Sequence, residues 1–336
     1  MQYRKFGNTD LVVSEVGFGS WAIGGNAMVG ETAIGWGPAD DATSKKALYA
    51  ALDAGINFFD TADIYGLGHS ENLIGRTVTD RNMMIATKVG NVARNNEFTV
   101  DYSKKYIFSA CDASLKRLNR ETIDFYQLHS ARVKHLKEEE CIGAMQILQQ
   151  QGKIRYWGIS LNTFQPEAEA NFFMESNWGS GFQLALNIIN QRGLNIIREA
   201  AAMEYGIIAR MPLQFGLLTG KFSRASTFDK TDHRHNRLTK EIINSSEKVL
   251  QPVWALCEKY TITKTQLALS YVLSYPEVSV VIPGIRTKEH VAANTTGLIQ
   301  LEKEDIVLIE AHGSTILSEL MNLIEKQADL LIYINY

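Results

Sequence analysis

The 336-residue chain reads as an α/β protein: a (β/α)8 TIM barrel with an N-terminal β-hairpin and extra C-terminal helices. Three observations predict this. Strand-like runs alternate with helical patterns along the chain, and such alternation implies a parallel sheet. The strand-like runs number eight, at 16–18, 57–59, 83–87, 123–128, 154–159, 183–186, 207–209 and 278–281, which suggests a closed barrel. Several helical patterns end in a glycine just before a strand, as at Gly55, Gly152 and Gly206. Glycine adopts the left-handed conformation at a helix C′ position at little cost, so these are αβ joints.

The elements follow in order. Residues 3–6 and 11–13 flank Gly7-Asn8-Thr9-Asp10, which is hairpin chemistry. A glycine-rich loop from about 19 to 41, carrying Trp21 and Trp36, follows the first strand. Helical patterns at 43–54, 71–79, 103–118, 136–150, 164–176 and 195–205 separate the next strands. A second long loop, about 212–239, includes Gly216, Gly220 and His233-Arg234-His235, and a helical stretch from about 240 to 274 leads to the eighth strand. Patterns at 288–295 and 303–327 come last. Loops this long are functional or disordered, and both follow strands, so both belong at the barrel mouth. The histidine–arginine cluster reads either as a solvated loop or as a recruiter of anions. No linker or composition break divides the chain. We expect one domain, 1–336, with the hairpin at 1–14, the barrel at about 15–297 and a C-terminal helix and tail at about 298–336. The tail from Leu330 to Tyr336 is apolar, fit for packing on the barrel, for a subunit contact or for aggregation.

Composition excludes several classes. Lys+Arg is 34 against 37 Asp+Glu, a formal charge of −3, which argues against a broad nucleic-acid footprint. Cys111, Cys141 and Cys257 form no CxxC pair, so neither a disulfide framework nor a zinc site is expected, and a reducing cytoplasm suits them. MQYRKFGNTD has no apolar signal-peptide core, and no run of about 18–20 apolar residues spans a membrane. Gly17-Phe18-Gly19-Ser20-Trp21-Ala22 matches the G-x-G-x-x-G/A dinucleotide fingerprint. The fingerprint needs a helix to open at once. Here irregular, glycine-rich sequence follows, so we expect a strand ending in a glycine-lined loop.

The chemistry sits in phrases where a buried strand runs into a polar residue: FFDTADIYG, ATKVG, QLHS and GIS. They offer Asp60, Tyr65, Lys88 and His129. Each alone has an ordinary explanation: a turn-forming aspartate, a packed tyrosine, a solvated lysine, a structural histidine. All four, however, lie at or just after predicted strands two, three and four. Side chains at the C-terminal ends of barrel strands converge on one mouth, where these four make a proton donor with groups to tune it.

These phrases resemble the aldo-keto reductase family over nearly the whole chain. RKFGNTDLVVSEVGFGSWAIGG is similar to its hairpin and first strand, and AGINFFDTADIYG to its signature. GKIRYWGIS, MPLQFGLLTGKF and VIPGIRTKEHVAAN resemble its cofactor-binding segments in the right order. The resemblance implies a catalytic tetrad of Asp60, Tyr65, Lys88 and His129. It also implies NADP(H) bound across the barrel mouth, with NAD(H) the alternative. Ser160, Asn162 and Gln183 match positions that hold the nicotinamide carboxamide. Gly216, Leu217, Thr219 and Lys221 match the pyrophosphate loop. Arg286, Thr287, His290 and Asn294 match the adenosine end. The chain departs from the family pattern in three places. Leu161 intervenes between Ser160 and Asn162, Arg210 stands where many members stack a tyrosine under the nicotinamide, and His290 stands where arginine or glutamine is common.

Carbonyl reduction needs a hydride at carbon and a proton at oxygen. A tyrosine with a pKa of about 10 is a poor acid at neutral pH unless shifted. An ammonium about 4 Å away supplies roughly 4 kcal/mol at an effective dielectric near 20, so Lys88 is expected to pull the Tyr65 phenol down. Asp60 would keep Lys88 charged and aimed. His129 would donate to the carbonyl oxygen, orient the substrate or share the proton. Trp21 and Ile64, with Trp36, would wall a pocket for a small carbonyl compound, and no metal is required. Two other readings compete. One is a nucleotide-binding regulatory subunit or redox sensor with little turnover. The other is a lyase or aldolase using Lys88 as a Schiff base.

Overall fold

A computed structural model gives the structure of residues 1–30 and 32–330; the apolar tail at 331–336 lies outside the described residues. Eight parallel strands form the sheet: β1 (Phe18–Gly19), β2 (Phe58–Asp60), β3 (Met84–Val89), β4 (Ile123–His129), β5 (Ile154–Ser160), β6 (Gly181–Ala185), β7 (Gly206–Arg210) and β8 (Val280–Ile282). Each pairs with its neighbours in sequence order. Parallel bridges from Val16 to Val281 and from Gly19 to Gly284 join the first strand to the last. The expected strands are all present, with no end shifted by more than two residues. In β1, Val16 pairs only through its bridge.

The N-terminal hairpin pairs Tyr3–Lys5 with Val12–Ser14 and plugs the barrel at the end opposite the mouth. Phe6, Leu11 and Val13 pack with Phe58, Phe125, Ile208 and Val280 in one buried cluster. The Phe6 ring lies 5.0 Å from that of Phe125. It sits so close to β7 that a Cβ on Gly206 would fall 2.5 Å from its carbons, which is why a glycine opens that strand. The second and larger core lies between the strands and the outer helices.

Helix starts follow local chemistry. Asp40, Ser103, Thr239, Thr263 and Thr287 each accept the backbone N–H three residues on, the ordinary N-cap role of those side chains. The 240–274 stretch divides into Lys240–Val249, Gln251–Tyr260 and Lys264–Leu273. The last break comes where Thr261 turns left-handed, with φ 55°. The 303–327 pattern divides into Lys303–Gly313 and Ile316–Asp329.

The two long loops carry structure of their own and meet each other. The first holds a 3-10 turn, Trp21–Ile23, and a short hairpin, Met28–Val29 with Thr32–Ala33. The second holds a 3-10 segment, Gln214–Thr219, and a short helix, Arg234–Arg237. Trp36 and Asp232 form an antiparallel bridge, and the His233 N–H donates to the Gly35 carbonyl at 3.0 Å. The solvated-loop expectation therefore fails for His233, which is 6% exposed. The two loops bury its ring between them, 5.6 Å from Trp21 and 5.9 Å from Phe215. Arg234 pairs with Asp232, and His235 is exposed. Outside the two long loops, one hairpin was not anticipated, Asn91–Arg94 with Glu97–Val100. Its signal was Asn95-Asn96, both at positive φ (53° and 65°), the turn that favours asparagine.

Candidate active site

The strand ends bring the four residues named above together. Asp60 closes β2, Lys88 lies near the end of β3, and His129 closes β4. Tyr65 follows β2 on a tight 3-10 segment, Tyr65–Gly68. That segment depends on Gly66, at φ 60°, where a Cβ would fall 2.0 Å from the Gly24 carbonyl oxygen. The close approach seats Tyr65 under the first long loop, with its ring 4.8 Å from that of Trp21 and 6.1 Å from that of His129.

Lys88 is fully buried. Its Nζ donates to Asp60 Oδ1 at 2.6 Å, to the Thr61 carbonyl at 2.7 Å and to the Tyr65 hydroxyl at 3.4 Å. Those three bonds use all the donors an ammonium has. Asp60 is held in turn: its Oδ2 accepts from Gln183 Nε2 at 2.7 Å and from Gln127 Nε2 at 3.4 Å.

Burial works against the Lys88 charge, yet Asp60 and Tyr65 hold its pKa above the ordinary lysine value. Burial raises the Tyr65 phenol above its own ordinary value, and the Lys88 charge offsets only part of that rise. This corrects the expectation that Lys88 alone would make the phenol acidic. The Coulomb attraction is present, but removing the phenolate from water costs more. Burial, with the charges of Lys88 and Arg210, drives His129 well below the usual histidine pKa. At neutral pH the pocket thus holds a protonated phenol, a charged lysine and a neutral imidazole.

Tyr65, His129 and Asp60 line a cavity of about 280 Å³ at the barrel mouth. Its wall continues through Ser160, Gln183 and Arg210 to Gly216, Thr219 and Lys221, and on to His290 and Asn294. Trp21 and Trp36 also border it. Four of the residues assigned to the cofactor from the sequence do not border this cavity. Leu217 is in the buried core. Asn162 Oδ1 accepts the backbone N–H groups of Phe164 and Gln165, both at 2.9 Å, as a turn former does. Arg286 donates to the Trp36 carbonyl at 3.2 Å, and Thr287 caps the helix Lys288–Thr295. Ile64 borders a different cavity, with Asp63, Asn91 and Arg117, because the turn that points Tyr65 inward points its neighbour away. Reading the sequence missed Gln127, Gln214 and Phe215. A glutamine inside a strand or loop carries no signal until its partner is known.

A family model, the Aldo/keto reductase family, matches residues 15–314. The chain belongs to the aldo/keto reductase family. The uncharacterized oxidoreductase YqkF of Bacillus subtilis (strain 168) is 28% identical to this aldo/keto reductase, over 93% of this chain and 96% of its own. A probable voltage-gated potassium channel subunit beta of Arabidopsis thaliana is 27% identical, over 88% of this chain and 90% of its own. Among solved structures, the glycerol dehydrogenase AKR11B4 of Gluconobacter oxydans superimposes with a TM-score of 0.76 at 30% identity, covering 92% of this chain and 94% of that one. The chain is accordingly an NAD(P)-dependent oxidoreductase acting on carbonyl or alcohol groups. Among the described residues, no helix is long and apolar enough to cross a membrane.

Proposed function

We propose that this aldo/keto reductase reduces an aldehyde or ketone to the alcohol with NADPH, and that Tyr65 donates the proton. The observation that carries this reading is the Tyr65 hydroxyl in the cavity wall, 3.4 Å from an ammonium that Asp60 keeps charged. Tyr65 holds its proton through the neutral range, as an acid must before it acts. Once the proton passes to the carbonyl oxygen, the tyrosinate left behind faces the Lys88 ammonium. The pair is then worth most, because the site is shielded from water. Neutral His129 is suited to orient the carbonyl through a ring N–H.

The donor set suits an anionic, extended dinucleotide. Among the described residues, Trp36 Nε1 and Gln214 Nε2 are buried donors without partners, and Lys221 and Arg234 stand along the same wall. On this reading Ser160, Gln183 and Arg210 serve the nicotinamide end. Gly216, Thr219 and Lys221 serve the diphosphate, with Leu217 as packing beneath it. His290 and Asn294 serve the adenosine end. Bound NADPH would supply the hydride. The preference for NADPH over NADH rests on Arg286, Lys288 and Lys221 near that end, since burial lowers the His290 pKa and keeps its imidazole neutral.

The test is the absorbance of reduced nicotinamide with aldehydes, ketones, sugars and pyridoxal-like compounds, using NADPH and NADH in parallel. Oxidation of NADPH that is lost in Tyr65→Phe supports the reading. The likeness to a channel β subunit favours a second reading, a nucleotide-binding regulatory subunit or redox sensor. Tight cofactor binding with no turnover on any carbonyl would decide for it.

A further inference from the structure

We propose that Asp63 anchors a second binding site, outside the catalytic cavity, for a small organic ammonium ion that carries a hydroxyl beside its nitrogen. A cavity of about 300 Å³ opens between the turn after β2, the strand Asn91–Arg94 and the helix Lys104–Leu118. Asp63, Ile64 and Leu67 border it, whereas Tyr65 between them borders the cavity at the mouth. One short segment thus separates the two.

Both Asp63 carboxylate oxygens are buried, and among the described residues no side chain donates to either. Asn91, on the same wall, is 3% exposed, and its Nδ2 is a buried donor without a partner. The cations nearby are spent. Arg117 donates through Nε to Glu71 Oε2 at 2.6 Å and through Nη2 to Ser114 Oγ at 3.2 Å. Lys88 gives its three protons to Asp60, Thr61 and Tyr65. The titratable groups facing Asp63 are Glu71, Arg117 and Lys88, with the phenols of Tyr102, Tyr106 and Tyr126. Burial and the Glu71 charge hold its carboxyl well above the usual carboxylate range, and Arg117, the Ile64 N–H and Lys88 offset only part of that.

Buried polar groups ordinarily find partners, and here an unpaired acceptor and an unpaired donor border one open cavity. An ammonium ion meets the Asp63 oxygens with a charge-assisted hydrogen bond, and a neighbouring hydroxyl accepts from Asn91 Nδ2. A metal ion suits the site less. Among the described residues, no group of three or more His, Cys, Asp or Glu side chains could hold one. Ile64, Leu67, Val92 and Ala113 on the wall instead suit the methylene groups of an organic cation. The face of Tyr106, also on the wall, adds a surface that attracts positive charge. Entry of the cation favours the ionised carboxylate, so Asp63 gives its proton to the buffer as the ammonium arrives.

The experiment is titration calorimetry on the full chain with NADP present in excess, at pH 6 and constant ionic strength. The probes are ethanolamine, ethylamine and 1-propanol. Ethanolamine should fill one site and bind about tenfold or more tightly than 1-propanol, the worth of a hydrogen bond to a charged group. Ethylamine, without the hydroxyl, should fall between them. The binding heat should differ between phosphate and HEPES buffers, because a proton is released. Asp63→Asn keeps the shape but cannot ionise, and it should lose both the preference for the amines and the buffer dependence. Ala113→Leu, which leaves Asp63 intact and fills the cavity, should lose binding of all three probes. No saturable heat from either amine would overturn the inference, since the cavity would then hold water only. So would equal affinities for ethanolamine and 1-propanol, a heat independent of buffer, or unchanged binding in Asp63→Asn. Should that variant fail to fold, the native series and Ala113→Leu decide.

Discussion

The Gln183 side chain on β6 donates a 2.7 Å hydrogen bond to the Asp60 carboxylate on β2, reaching across the barrel interior to the acid that holds Lys88. A residue assigned by resemblance to the cofactor is thus also a support of the buried ion pair. Gln183→Leu should leave Asp60 Oδ2 with only the 3.4 Å contact from Gln127. A hydrogen bond to a charged group contributes about 1.5–3 kcal/mol, so unfolding in urea should show a loss of that order. An unchanged midpoint would mean that the bond carries no weight.

Tyr65→Phe removes one hydroxyl and keeps the ring against Trp21, 4.8 Å away. Turnover in the reductive direction should fall by roughly 10²–10⁴-fold, the usual worth of a positioned general acid. NADPH affinity, measured by fluorescence titration, should stay close to the native value. Comparable turnover in the variant would remove Tyr65 as the proton donor.

Lys88 and Asp60 are 0% and 2% exposed. Lys88→Met strands a buried carboxylate and should cost about 3–5 kcal/mol of stability. The double variant Lys88→Met with Asp60→Asn should recover much of that loss, because neither partner then leaves the other's charge buried and unpaired. Calorimetry or denaturant unfolding of the native protein, the two single variants and the double variant measures the coupling directly; simple additivity would contradict it.

His233, between the long loops, has its pKa pushed down to about 3 by burial and the nearby Arg237. The sign follows from proton counting. Between about pH 6.5 and 3 the unfolded chain binds a proton at this site that the folded chain refuses, so stability falls as pH drops through that window. His233→Phe keeps an aromatic ring there but cannot titrate. It should be slightly less stable than the native protein at pH 7, having lost the contact to the Ala33 carbonyl, yet lose less stability on going to pH 4. Parallel acid slopes for the two proteins would refute the assignment.

Gly66→Ala places a Cβ 2.0 Å from the Gly24 oxygen at a positive φ. Clash and strain together should destabilise the fold by about 3 kcal/mol or more. Whatever folds should lose kcat through a displaced Tyr65, with KM for NADPH little changed.

Much of this was legible in the chain. The strand-then-polar phrases marked Asp60, Tyr65, Lys88 and His129, because alternation and strand ends leave a one-dimensional trace. The glycine C′ joints marked where helices hand over to strands. Other features left no such trace. Nothing about Gln127 or Gln183 in isolation names Asp60 as a partner, and nothing in His233-Arg234-His235 tells a buried ring from a solvated one. Asn162, matched by position to the nicotinamide carboxamide, also holds the turn after β5 through its Oδ1, which its place in the chain did not show.

The order of residues alone determined the barrel, its alternation and the four side chains at its mouth, since hydrophobic periodicity and turn chemistry act over neighbouring residues. Tertiary structure alone decided the charge balance of the pocket. It buried the Tyr65 phenol more deeply than Lys88 could offset, tied Gln183 to Asp60 and, among the described residues, gave Arg210 neutral partners in place of an ion pair. Desolvation and Coulomb terms depend on distances between residues far apart in the chain, and those distances exist only once it has folded.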